Sequence, residues 1–199
     1  MVLPGGTIGV RKRHPNRWRF FCELRALHAA RRQGCRVPDV LQADFEAPAV
    51  VSTYIPGPVI TDILAPICTA ARDRDYDTEV PEHVLHGRAR WASRLSAMRD
   101  AAAAALPASF GAEVAEQVRL LHRARVIWGN VKYGNIVIER GTGLPWLVDF
   151  DYAGYFPRLS ESLFTALSDD EAASCAWHFP DAEPRTAAGT DPAEARFGT

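Results

Sequence analysis

The 199-residue chain has few cysteines, and they are not arranged as metal or disulfide pairs. The four are Cys22, Cys35, Cys68 and Cys175. No two of them form a C-x-x-C pair, which argues against a zinc site and against a disulfide framework. We therefore expect buried or idle thiols in a reducing compartment.

Long apolar runs are also missing. No stretch approaches the roughly 18 to 20 apolar residues that a membrane-spanning helix needs. The N-terminus has no apolar segment of the kind found in secretory signals. We expect a cytoplasmic protein with no transmembrane segment, and the sequence leaves open a peripheral contact with the inner face of a membrane.

The chain has no overall excess of positive charge, since its net charge is −1 at pH 7. It is therefore not a polycation built for nucleic acid, and few aromatic residues accompany its arginines for base stacking. The charge is nevertheless uneven, because residues 1–40 are basic and acids outnumber bases from Glu139 onward. Such an arrangement can hold an anionic ligand with metal between the two parts. The alternative is a solvated arginine face and an acidic tail.

The N-terminal part is predicted to contain strands and one helix. Residues 7–14 follow the turn-forming sequence "PGG" and are expected to form a strand. Residues 17–34 are expected to form a helix that ends at Gly34. One face of this helix comprises Phe20, Phe21, Leu24, Leu27 and His28. Residues 37–57 are expected to form a hairpin whose second strand runs from Ala49 to Tyr54.

The rest of the chain is predicted to be mainly helical. Pro56 and Gly57 break the chain, and Thr61 or Asp62 is expected to cap a short helix. Residues 69–80 are interpreted as a loop. Further helices are expected within 82–105, 109–126 and 160–178. The apolar stripe of the middle one comprises Phe110, Val114, Val118 and Leu121. The composition from Phe179 onward is typical of a disordered tail.

Residues 127–153 read IWGNVKYGNIVIERGTGLPWLVDFDYA and combine apolar runs with polar ends. The pattern predicts a strand, a tight polar loop, two further strands joined by a turn, and an acidic loop. Polar groups at strand ends commonly face a site. The polar residues at these ends are Asn130, Lys132, Asn135, Asp149 and Asp151.

Residues 7–153 resemble the protein-kinase-like superfamily, and within it the small bacterial branch of lipopolysaccharide kinases and RIO-type kinases. The sequence W-G-N-V-K-Y-G-N at 128–135 is similar to the kinase catalytic loop H-x-D-x-x-x-x-N. The sequence D-F-D at 149–151 is similar to the metal-binding D-F-G triplet. Lys12 and Glu23 resemble the kinase lysine–glutamate pair, and residues 50–64 resemble the strand and hinge that receive adenine.

The resemblance implies an α+β, two-lobed kinase-like fold that binds ATP and Mg²⁺. Residues 1–57 would form a truncated N-terminal lobe, 58–178 the C-terminal lobe and 179–199 a tail. The residues implied to hold the nucleotide are Lys12, Glu23, Tyr54, Ile55 and Asp62. Those implied to hold magnesium are Asn135 and Asp149, which offer the oxygen ligands that this ion prefers.

The catalytic loop departs from the family's pattern. Asn130 occupies the position of the aspartate that accepts the substrate's hydroxyl proton, and a neutral amide is not a general base. Lys132 remains to neutralise the γ-phosphate. Trp128 replaces a histidine that braces the loop. Only eleven residues precede Lys12, so we expect either a truncated lobe or a true start upstream of Met1.

Two functions therefore remain open. The first is an impaired phosphotransferase that acts on a hydroxyl of a sugar, a lipopolysaccharide or a protein. The second is a pseudokinase, a binding or regulatory module that retains the shape and the nucleotide affinity without transferring phosphate.

Overall fold

The computed structural model describes residues 1–3, 5–64 and 96–180, and it has a mixed α+β architecture. Several predicted features lie outside these residues. They are the loop at 69–80, the first part of the helix predicted at 82–105, the predicted tail beyond residue 180, and Cys68. The predicted start of the tail at Phe179 is wrong, because Phe179 is buried in the core.

Three antiparallel strands form the N-terminal sheet in the order β1-β3-β2. They are β1 (Gly9–Arg13), β2 (Val40–Asp44) and β3 (Ala49–Thr53). The Asp44 side chain closes the hairpin by accepting hydrogen bonds from the backbone N–H groups of Glu46 and Ala47, at 3.1 and 2.9 Å. Asp side chains commonly stabilise turns in this way. The predicted strand and hairpin are confirmed.

Helix α1 (Arg17–Arg32) follows β1, as predicted. The Asn16 side chain caps its first turn by accepting a hydrogen bond from the Arg19 N–H at 2.9 Å, and the chain leaves the helix through Gly34, whose φ is +84°. The buried residues are Phe20, Glu23, Ala26, Leu27 and Ala30. The predicted face is therefore wrong for Phe21 and His28, which are exposed. The buried face is rotated toward Glu23, Ala26 and Ala30, which the apolar spacing did not include.

The C-terminal helices flank a group of short strands. Residues 60–64 and 96–105 are helical, and the two longer helices are α2 (Phe110–Arg123) and α3 (Glu161–His178). The predicted apolar stripe of α2 is confirmed as buried. The cap predicted at Thr61 or Asp62 is wrong, because the helix has already begun at Ile60, directly after Val59 forms a β-bridge with Val137.

The predicted strand-loop-strand order of residues 127–153 is confirmed. Strand β4 (Val126–Ile127) pairs with β7 (Gly154–Tyr155), and β5 (Ile136–Ile138) pairs with β6 (Pro145–Leu147). A 3₁₀ turn at Tyr133–Asn135 precedes β5. Both ends of the polar loop are thus held by strand pairs.

One cluster of buried residues joins α1, α2, α3 and the short strands. Its largest fully buried side chains include Trp128, Tyr133 and Phe150. Arg36 connects the end of α1 to this core, because its backbone N–H donates to Gln117 Oε1 at 2.7 Å and its carbonyl accepts from the Leu147 N–H at 2.9 Å. The core therefore includes the segments on either side of the polar loop.

Two of the three cysteines in the described part of the chain are buried, as expected. Cys22, Cys35 and Cys175 are free, and the last two are buried. Burial raises the pKa of both buried thiols to about 12. In the parts of the chain that the structure describes, no helix combines the length and the apolar character that a bilayer crossing requires.

Candidate functional site

Lys12 lies at the centre of a cluster of carboxylates. Side chains alternate along a strand, so Lys12 in β1 is half-buried while its neighbours Arg11 and Arg13 are exposed. Its Nζ lies 2.6 Å from Asp149 Oδ1, 2.8 Å from Asp151 Oδ1 and 3.3 Å from Glu23 Oε2. One ammonium group thus contacts three carboxylates, from α1 and from the acidic loop after β6.

The acidic loop is held in place by its own backbone and by Trp128. Asp149 adopts a φ of +60°, while Phe150 is fully buried and anchors the loop in the core. The indole Nε1 of Trp128 donates to the carbonyls of Val148 and Asp149, at 3.1 and 3.3 Å. Trp128 therefore holds the backbone at Val148 and Asp149, and its single N–H donor is shared between the two carbonyls.

The electrostatics of the cluster reflect burial and mutual attraction. Burial lowers the pKa of Lys12, but Glu23, Asp149 and Asp151 together outweigh it, so the net change raises that pKa. Burial raises the pKa of Glu23 to about 7, although the attraction of Lys12 opposes this change. At neutral pH the ammonium is thus charged, and the raised pKa of Glu23 places its carboxyl near its own titration point.

Asn130 and Asn135 are joined across the polar loop. Asn135 is buried, and its Nδ2 donates to the Asn130 carbonyl at 3.1 Å. Its own carbonyl accepts from the Val148 N–H at 2.9 Å, which connects the loop to the segment that carries Asp149. The side-chain Nδ2 of Asn130 is buried and has no hydrogen-bond partner among the described residues.

Other predicted site residues form no ion pair or side-chain hydrogen bond with the cluster in the described ranges. Lys132 and Asp62 are exposed, and within the described ranges neither forms a side-chain hydrogen bond or an ion pair. Ile55 is buried, whereas 47% of the Tyr54 surface is exposed. The structure therefore brings together Lys12, Glu23 and Asp149, and separately Asn130 and Asn135.

The segment after Tyr54 is attached to β5 through its backbone. The Ile138 N–H donates to the Pro58 carbonyl at 2.9 Å and the Arg140 N–H donates to the Pro56 carbonyl at 2.6 Å. Gly57 permits this close approach, because a Cβ at this position would overlap the Ile138 carbonyl. The segment predicted as a hinge is thus fixed to the strand that follows the polar loop.

Sequence reasoning missed His14 and Glu171. His14 lies two residues after Lys12, so the alternation of β1 turns both side chains to the same side; that spacing was the available signal. Its Nε2 lies 2.9 Å from Glu23 Oε2. Burial and the neighbouring Lys12 lower the pKa of His14, so its imidazole is neutral at pH 7.

Glu171 of α3 supports the polar loop from the opposite side. Its Oε1 accepts from the Gly129 N–H at 2.5 Å, and its Oε2 lies 2.9 Å from His122 Nε2 of α2. Gly129 has a φ of +72° and passes close to the carbonyl of Tyr152. No local sequence signal relates a helical glutamate to a loop 42 residues earlier.

Comparison with known proteins finds no protein-family model that matches the chain and no curated protein that matches it. The geometry of the site therefore gives the available indication of its chemistry. An ammonium group and three carboxylates offer one cationic donor for an anionic ligand and several oxygen atoms for a cation.

Proposed function

We propose that the chain is a two-lobed, protein-kinase-like protein that binds ATP and Mg²⁺. The observation that carries this proposal is the contact of Lys12 with both Glu23 and Asp149. These residues come from β1, α1 and the loop after β6, and the Lys12–Asp149 pair spans 137 positions of sequence.

The geometry suits the demands of phosphoryl transfer. That reaction passes through a charged transition state in which positioning and charge neutralisation dominate. Lys12 is the cation available to hold the α- and β-phosphates, and Glu23 orients its ammonium group. Lys132, on the exposed side of the polar loop, is the candidate for neutralising the γ-phosphate.

Asn135 and Asp149 are the proposed magnesium ligands. The amide nitrogen of Asn135 is engaged by the Asn130 carbonyl, so the amide oxygen is the atom left to bind a cation. Asp149 supplies a carboxylate whose side chain is 34% exposed, which suits an ion that keeps several waters. Bound magnesium would neutralise phosphate charge.

The resemblance to protein kinases implies the remaining contacts of the nucleotide and the acceptor. Tyr54 and Ile55 would face adenine and Asp62 the ribose, at the segment that Gly57 fixes to β5. The acceptor would be a hydroxyl of a sugar, a lipopolysaccharide or a protein. A cytoplasmic protein with a peripheral membrane contact fits an acceptor of this kind.

A thermal-shift titration tests nucleotide binding. If ATP with Mg²⁺ is present at about 100 times its dissociation constant, it stabilises the protein by about 2.7 kcal/mol, which corresponds to a rise of roughly 5–10 °C in the melting temperature for a chain of this size. We expect Lys12→Ala to lose most of this ligand-induced rise, because it removes the phosphate-binding ammonium.

The matched control is Arg13→Ala, which removes an exposed basic residue next to Lys12 and should keep the rise. Each variant is compared with its own ligand-free state, so a change in basal stability does not affect the result. Equal rises in Lys12→Ala and the wild type would contradict the proposal, as would no rise in the wild type.

Asn130 favours a second candidate, a pseudokinase that binds nucleotide as a regulatory module. The amide cannot accept the substrate's proton as an aspartate does, and general-base catalysis typically contributes about 10² to 10⁴ in rate. We expect Asn130→Asp to raise ATP turnover by about a hundredfold or more if the chain is an impaired enzyme. Unchanged turnover in a variant that still binds ATP would identify the pseudokinase instead.

A further inference from the structure

The buried imidazole of His14 is unpartnered. Its side chain has no exposed surface, and neither ring nitrogen has a hydrogen-bond partner among the described residues. A buried polar group without a hydrogen bond is costly, typically by about 1–3 kcal/mol. The proposed nucleotide clamp uses Lys12, Glu23 and Asp149, and it does not account for this histidine.

Two carboxylates face the same imidazole. Glu23 Oε2 lies 2.9 Å from its Nε2, and Asp151 Oδ1 lies 3.6 Å from its Nδ1. The Glu23–His14 contact has the distance of a hydrogen bond but not its angles, since both atoms are without a hydrogen-bond partner. Because the two contacts involve different ring nitrogens, a single ion would be bound by only one of these nitrogens together with the two carboxylates.

We propose that His14, Glu23 and Asp151 form a binding site for a divalent transition metal of the Zn²⁺ class, distinct from the Mg²⁺ ligands Asn135 and Asp149. One ligand atom from each residue lies within 4.8 Å of the others. Zinc binds nitrogen and oxygen ligands at about 2.0–2.2 Å, so tetrahedral ligands are roughly 3.4 Å apart. Metal binding would therefore require side-chain rotations that bring the three atoms to that spacing.

The ligand types select the metal. Neutral imidazole suits Zn²⁺ and other late first-row metals, whereas Mg²⁺ prefers oxygen ligands alone. No cysteine takes part in this site. Three protein ligands leave one tetrahedral position open for water or another ligand, and the Asp151 side chain, which is 30% exposed, gives the ion a path from solvent.

The local charge also favours a second cation. Lys12 supplies one positive charge to the carboxylates of Glu23, Asp149 and Asp151, which leaves two negative charges when all three are ionised. A divalent ion balances them. The ammonium group contacts both proposed carboxylate ligands, however, so Lys12 and the metal compete for Glu23 and Asp151.

The experiment is a calorimetric titration of Zn²⁺ into the metal-free full chain, without a purification tag and without nucleotide. We expect one site whose affinity falls at least about 10- to 100-fold in His14→Ala and in Asp151→Asn, since even partners outside the ligand sphere have effects of that size. His28→Ala is the matched control, because it removes an exposed histidine, and it should bind as the wild type does.

Lys12→Ala separates this proposal from the nucleotide proposal. It should bind Zn²⁺ more tightly than the wild type, because the competing ammonium is gone, while it loses the ATP-induced rise in melting temperature. The zinc titration contains no nucleotide, so a failure to bind ATP does not change the measured zinc affinity. Likewise, a failure to bind zinc does not change the ATP-induced rise in melting temperature.

A spectroscopic test with Co²⁺ keeps the proposal falsifiable if His14→Ala does not fold. Nitrogen and oxygen ligation should give visible cobalt bands that disappear in Asp151→Asn, whose side chain is partly exposed. Wild-type affinity in Asp151→Asn would overturn the proposal, as would a wild-type chain without a zinc site. An intense thiolate-to-cobalt band would show cysteine ligation and also overturn it.

Discussion

Lys12 is surrounded by more negative charge than it neutralises. Its ammonium contacts three carboxylates, and one of them, Glu23, is buried with its pKa raised to about 7. Buried charges are stable only when they are paired, so this cluster is poised to accept additional positive charge. A bound metal ion would supply it.

Tyr133 is a residue whose ionisation should control stability at alkaline pH. Its hydroxyl is buried and donates to the His178 carbonyl at 2.7 Å, and burial raises its pKa to about 12 from a usual value of 10.0. The folded state holds the Tyr133 proton more tightly than the unfolded state does. The contribution of this hydroxyl to the free energy of unfolding is therefore complete below pH 10 and is lost as the pH rises from 10 to 12.

We expect the stability advantage of the wild type over Tyr133→Phe to be constant up to about pH 9 and to fall by about 1.4 kcal/mol by pH 11. Urea unfolding at a series of pH values measures it. The buried thiols are present in both proteins, so their titration does not change the difference in stability between them. An advantage that grows between pH 9 and 11 would contradict the burial of this hydroxyl.

Single residues of the candidate site differed in how far the sequence could predict them. Lys12, Glu23 and Asp149 belong to an ordered set of residues, so the resemblance predicted that they share a site. Trp128 supports the acidic loop through a hydrogen bond to Val148, 20 positions away, and Glu171 supports the polar loop through a hydrogen bond to Gly129, 42 positions away. Such contacts depend on how helices pack, which no local pattern encodes.

At the level of elements, the segment 56–59 depends on its close contact with β5. Its carbonyls accept two backbone hydrogen bonds from β5 and the turn that follows it, and Val59 forms a β-bridge with Val137. Gly57 lies in the middle of this contact without space for a side chain. The attachment holds the predicted hinge next to the polar loop.

We therefore expect Gly57→Ala to lower the free energy of unfolding by about 1–3 kcal/mol, the usual cost of inserting a methyl group where there is no space. Gly134→Ala is the matched control, because a Cβ there would lie 3.7 Å from the nearest atom, at ordinary contact distance. Equal stabilities of the two variants in urea unfolding would show that segment 56–59 is not held in this way.

Elements with a strong local signal could be predicted from the sequence. Gly34 follows the end of α1 as predicted, and the apolar stripe of α2 is buried as its spacing indicates. The buried face of α1 could not be predicted fully, because Glu23 is buried for its charge partners and not for its hydrophobicity. The start of the helix at Ile60 depends on a bridge to Val137, a partner 78 positions away.

At the level of the whole molecule, the site lies where three separate regions meet. The N-terminal sheet supplies Lys12 and His14, α1 supplies Glu23, and the loop after β6 supplies Asp149 and Asp151. The continuous core and the contacts of Arg36 keep α1 and the short strands together. Composition and charge placement indicated only that a basic part and an acidic part can face each other.

The most direct test of the account is a crystal structure of the chain with Mg²⁺ and a non-hydrolysable ATP analogue. We predict that the analogue lies between the N-terminal sheet and the acidic loop, with Lys12 Nζ within hydrogen-bond distance of an α- or β-phosphate oxygen. Asp149 and Asn135 should bind the metal through oxygen atoms. A nucleotide bound elsewhere, or Lys12 still paired only with its carboxylates beside a bound nucleotide, would contradict it.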